Sequence, residues 1–246
     1  MSHKNLDLTA QTTTYLFGIA WFFPFCVYTL WAYGIYPTSL GATPESFDWL
    51  WELIAAYPME LTLLSQLAIG CLFIVGSRTL SWSTIGFRRT STMWFFVAIV
   101  GIISSYVFSG LLQAIFQVPR IEGVHIEAIG NPNPIPPIGQ LLSALFMIGL
   151  ATAVIEEVAF RGVLYGWLRT NVGPNPGILI SALIFSLFHL RFINPGGLVG
   201  ISATLQVMLG GIGLAFLYEK SGSLWPSIYF HSVNNVIGIL QVLAPR

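Results

Sequence analysis

Seven residues in the C-terminal half carry side chains able to do chemistry amid apolar neighbours: Glu156, Glu157 and Arg161, then His189, then His231, Asn234 and Asn235. Their spacing is informative. Glu157 and Arg161 stand four apart, so on a helix they share a face and can form an internal ion pair. Glu156 points about 100° away and is left for a different task. It could take a proton from a water that then attacks a carbonyl carbon. Glu156, His189 and His231 could instead hold a zinc ion with one position open for water. Asn235, four residues after His231, could donate through its amide to the oxyanion formed on the attacked carbonyl.

Other routes are less well supplied. No serine stands in a nucleophile-elbow context, and Cys26 and Cys71 lie far from the polar set, which disfavours a covalent mechanism. There is no H-E-x-x-H zinc helix. A lone histidine in an apolar helix can simply hydrogen-bond a carbonyl, and a Glu–Arg pair can be purely structural. Yet the chain has only 4 histidines, and two of them belong to this set. An idle cluster would have to offset the desolvation of every member with hydrogen bonds. Two rival classes follow from the same residues: a proton-coupled membrane transporter, or a membrane protein that binds a partner without catalysis. Inverted repeats would favour transport, and no internal symmetry is evident. Confinement of the polar set to the C-terminal half suits one localised site.

The elements that must position these residues are set by composition. Of 246 residues, 55% are hydrophobic and only 8% charged, and mean hydropathy is +0.76. A soluble domain carries about 25% charged residues. Several apolar runs reach the roughly 20 residues a helix needs to cross the hydrocarbon, and they lack the alternation of a transmembrane β-barrel. The expected fold is all-α: a polytopic transmembrane helical bundle of about seven spans, with a C-terminal four-helix catalytic core. Basic and acidic residues balance at 10 each, which argues against a nucleic-acid partner.

The spans are read at about 15–36, 53–76, 92–118, 139–168, 178–192, 198–218 and 224–243. Residues 1–138 form the N-terminal helices and loops, and 139–246 the core. The first span follows a polar start without a clear cleavage site and is read as retained. Four prolines between Pro132 and Pro137 exclude a regular helix before the fourth span. Gly173 to Gly177 reads as a turn, and Glu219 to Ser223 as a polar loop. Arg78, Arg88 and Arg89 mark the loop between spans two and three as cytoplasmic. Alternation then places the N-terminus, Arg169 and Lys220 inside and the C-terminus outside, with Arg120 and Arg191 as mild dissenters.

Three motifs now carry a resemblance. Glu156-Glu157-Val158-Ala159-Phe160-Arg161, followed by Gly162, reads EExxxR; Phe185 to His189 reads FxxxH; His231 to Asn235 reads HxxxN. In this order, each in a span, they make the chain similar to the CPBP (CAAX protease and bacteriocin-processing, or Abi) family of intramembrane proteases. That family is related to the Rce1-type prenyl-protein endopeptidases. The resemblance covers about 139–243. It implies that Glu156 activates water with help from His189, that His231 and Asn235 form the oxyanion side, and that Glu157 with Arg161 braces the site. It leaves open both a zinc-assisted metalloprotease and a metal-independent, glutamate-based one. The implied substrate is a membrane protein or peptide reached through or from the bilayer, a prenylated CAAX tail among them. The implied location is an integral membrane.

Overall fold

The computed structural model describes residues 82–118, 138–189 and 197–243, and every element among them is helical. The expected first two spans, Arg78, and the segments around Arg120 and Arg191 lie outside the described residues.

Helix α1 is Met93–Phe116. It is followed, after a segment outside the described residues, by a continuous helical rod, α2, over 138–172. The rod begins as an α-helix at Ile138–Ala144, passes through a π-helical stretch at Leu145–Thr152, and returns to α over Ala153–Glu157. It becomes π again at Val158–Tyr165 and ends as α at Gly166–Val172. Helix α3 is Pro174–Phe188, α4 is Gly197–Ser221 and α5 is Trp225–Leu243. Among the described residues, α1 and α4 are long and apolar enough to cross a membrane.

Two expectations on element ends are corrected. The stretch from Gly173 to Gly177 is not a free turn: Pro174 opens α3 at its first helical position, where the missing N–H costs nothing and the fixed φ suits the helix. Glu219, Lys220 and Ser221 belong to α4 rather than to a loop, because Glu219 is engaged by α2 side chains and holds the last turn in place.

Packing follows from small residues where helices meet and large ones between them. Ala98 and Ile102 of α1 are buried against Leu214 and Leu217 of α4 and Phe230 of α5. The opposite face of α1 presents Phe96, Val100, Ile103, Val107, Leu111 and Ile115 outward, a stripe at helical spacing suited to lipid chains. Ala144 and Ile239 join the first turns of α2 to the end of α5. Buried hydroxyls add interhelical ties: Ser227 Oγ donates to the Leu214 carbonyl at 2.9 Å, and Ser181 Oγ to that of Phe160 at 3.4 Å. Such bonds recur between membrane helices, where no water competes for the donor.

One end of the bundle gathers the basic groups. Ser223 Oγ donates to the Arg88 carbonyl at 2.6 Å and Thr90 Oγ1 to that of Ser221 at 3.2 Å. Near the same end of α4, Tyr165 and Arg169 both bind Glu219 Oε2, at 2.8 and 2.7 Å. Arg88, Arg169 and Lys220 thus lie near a single end of the described helices.

Candidate active site

The two glutamates sit in the short α-helical stretch between the two π-helical segments of α2. Segments of this kind are often found at functional sites, because the extra residue per turn re-aims the side chains that follow. Glu157 and Arg161 are both 0% exposed, and Arg161 Nη1 donates to Glu157 Oε1 at 2.8 Å. The same oxygen lies 2.8 Å from His231 Nδ1 on α5. A carboxylate paired with a buried guanidinium acts as acceptor, so we assign the proton of His231 to Nδ1, which leaves Nε2 on the other side of the ring. Arg161 also donates through Nη2 to the Gly211 carbonyl of α4 at 3.3 Å.

His189 reaches the site from the end of α3, where it caps the helix rather than lying within it. Its Nδ1 is 2.8 Å from the Phe185 carbonyl. A carbonyl can only accept, so Nδ1 carries the proton and Nε2 the lone pair. The two imidazoles therefore turn their Nε2 atoms toward a shared point. At that point is Glu156 Oε2, 3.9 Å from His189 Nε2 and 3.7 Å from His231 Nε2. Glu156 Oε2 is buried and has no hydrogen-bond partner. A water molecule beside the two imidazoles could donate to Glu156 Oε2.

The spacing sequence thus brings Glu156, Glu157, Arg161, His189 and His231 together. Asn235 is one turn beyond His231, and its Nδ2 donates to the Ile148 carbonyl of α2 at 2.9 Å. One of its two amide hydrogens is therefore committed to holding α5 against the first π-helical stretch.

Phe185 does more than the sequence reading allowed it. Its ring lies under the Arg161 guanidinium, with Cζ 4.3 Å from the ring centroid. It also packs against His189 at 4.4 Å and edge-on to His231 at 5.9 Å between centroids. Phe160 meets it edge-on from α2 at 4.9 Å. One aromatic face serves the cation and both imidazoles. The signal was present as the first position of FxxxH, but a phenylalanine in an apolar helix does not announce a role until its neighbours are known.

The donor set Glu156, His189 and His231 is chemically suited to zinc, and each imidazole has its other nitrogen tied to an oxygen acceptor, as metal-bound histidines do. Their spacing does not amount to a formed site: among the described residues, no group of three His, Cys, Asp or Glu side chains stands ready to hold a metal ion.

A helical bundle with two membrane-length helices and a carboxylate–imidazole cluster at its centre defines a class, the helical membrane proteins with a buried polar site. Comparison with known proteins narrows it. Residues 138–237 match the family model described as type II CAAX prenyl endopeptidase, Rce1-like. This bears out, over that segment, the resemblance read from the three motifs. A Bacillus subtilis (strain 168) protein described as "Putative membrane peptidase YdiL" is 21% identical over 153 residues, covering 59% of this chain and 59% of that one. The chain therefore matches less than two thirds of that relative's length. No solved structure matches it.

Proposed function

We propose that this protein is an intramembrane endopeptidase that hydrolyses a peptide bond of a membrane-associated protein or peptide. The observation that carries the reading is the convergence of Glu156 Oε2, buried without a hydrogen-bond partner, on the Nε2 atoms of His189 and His231. The Rce1-like match and the description of the Bacillus relative support it.

In this reading a water donates to Glu156 Oε2 and lies within reach of the two imidazoles. Glu156 removes one of its protons as the oxygen attacks the carbonyl carbon of the scissile bond, and His189 holds the other hydrogen and so aims the lone pair. The carbonyl π electrons move onto oxygen. His231 takes up one proton from bulk water at Nε2 when substrate binds and donates it as a hydrogen bond to that oxyanion, with the second amide hydrogen of Asn235 beside it. It gives that proton back to bulk water on collapse. Collapse of the tetrahedral species breaks the C–N bond, and the proton taken by Glu156 passes to the leaving amine. Glu157, Arg161 and Phe185 touch no reacting atom. They fix the two rings, which a water-activating site needs to within fractions of an ångström.

The same reading makes the chain a multi-pass membrane protein with its N-terminus and its basic end in the cytoplasm. Substrate then arrives through the bilayer or from its surface, with a prenylated tail as one form the family resemblance implies. The test is cleavage of a lipid-anchored, fluorescence-quenched peptide library by the full chain in proteoliposomes, compared with Glu156→Gln. That variant keeps size and loses the base, and a loss of about 10²–10⁴-fold is expected. Equal turnover by the two proteins would overturn the assignment.

A further inference from the structure

We propose that the turn at Ile85 and Gly86, which precedes α1 and lies outside the family-matched segment, is a positioning element of the catalytic site. Its kinetic test rests on the hydrolytic reading above; its spectroscopic test does not.

The turn is inserted among α2, α4 and α5. Ile85 is 2% exposed. Its carbonyl oxygen occupies the space that a side chain at Gly162 would need: a Cβ there would lie 2.9 Å from that oxygen. Gly162 directly follows Arg161, so backbone from before α1 presses on the turn of α2 that carries the guanidinium. Tyr218 OH of α4 donates to the same Ile85 carbonyl at 3.3 Å, and the Leu224 amide at the start of α5 donates to the Gly86 carbonyl at 2.8 Å. Gly86 itself has φ +109°, and a Cβ on it would stand 2.5 Å from Tyr218 Cε2.

These contacts give the turn a purpose beyond connecting two segments. Glu157, Arg161 and His231 are linked through one carboxylate oxygen, and they come from α2 and α5. The turn bonds to α5 through Leu224 and abuts α2 at Gly162. It is therefore a spacer between the two helices whose separation sets that link. A peptide backbone wedged against a helix without an intervening side chain has little freedom to adjust, because both surfaces are rigid.

The experiment compares Gly162→Ala with Gly139→Ala in the full chain. Both lie on α2, and a Cβ at Gly139 meets nothing within 4 Å. Alanine is the better helix former, so propensity alone favours both variants. For Gly162→Ala, kcat should fall about 10- to 100-fold, the scale of a sub-ångström to 1 Å misplacement, with KM within about twofold. Gly139→Ala should match the unaltered chain. A folded Gly162→Ala with unchanged kcat would overturn the proposal. If Gly162→Ala does not fold, Tyr218→Phe decides: it keeps the ring and removes the donor to Ile85, and a lower kcat at unchanged KM supports the proposal while an unchanged kcat overturns it. Independently of any peptidase activity, 4-fluorophenylalanine at position 185 reports on the Arg161 and imidazole packing. Its fluorine resonance should shift in Gly162→Ala and stay in place in Gly139→Ala. Should the unaltered chain cleave nothing, the hydrolytic reading falls, and the resonance alone judges this proposal: a shift upholds it and an unmoved line overturns it.

Discussion

His231 and Glu157, 74 positions apart in the chain, meet with Nδ1 and Oε1 at 2.8 Å, and the same oxygen takes the Arg161 guanidinium at 2.8 Å. Glu157 is therefore the joint between α2 and α5, not merely the partner of its own helical neighbour. Removing it in Glu157→Ala leaves Arg161 buried without its counter-charge, a change that costs about 3–5 kcal/mol. The double variant Glu157→Leu with Arg161→Met should regain most of that stability and none of the activity. Thermal unfolding in detergent, beside the cleavage assay, separates the two effects. A double variant that cleaves normally would remove the pair from any part in orienting His231.

Phe185→Leu keeps an apolar side chain and removes the ring beneath the guanidinium. A desolvated cation–π contact is worth about 2 kcal/mol, and both imidazoles lose a wall in the same step. The expected result is a lower unfolding temperature together with a lower kcat. Unchanged values of both would show that volume alone matters at this position.

Asn235→Ala deletes the bond to the Ile148 carbonyl, at a cost of about 1 kcal/mol. If the second amide hydrogen serves the oxyanion, kcat should fall about 10²–10³-fold as well. A loss smaller than tenfold would leave Asn235 as a clamp between α5 and α2.

The proposed mechanism activates water with Glu156 and His189 and needs no metal. Dialysis against a strong chelator should therefore leave the cleavage rate unchanged, with metal content measured on the same sample. A rate that disappears and returns with added zinc would make Glu156, His189 and His231 ligands instead.

Much of this protein is written in its amino-acid order. Low charge and long apolar runs dictate helices, and hydrogen bonding in a dry surround leaves little else. The four-residue step from Glu157 to Arg161 dictates their pairing, because both lie on one helical face. The motifs marked the residues that converge. What the order of residues could not supply is anything that depends on which helix stands beside which. That His231 shares Glu157 Oε1 with Arg161, that both Nε2 atoms face Glu156, and that Phe185 underlies three polar groups are consequences of three helices meeting. Gly162 is legible only once the Ile85 carbonyl is found where its side chain would be. Local rules also misjudged two element ends: Pro174 opens α3 inside a stretch whose glycines and prolines read as a turn, and Glu219 was drawn into α4 by Tyr165 and Arg169. Periodicity speaks for a segment by itself, whereas distances between segments are fixed by packing, and the chemistry here lies in those distances.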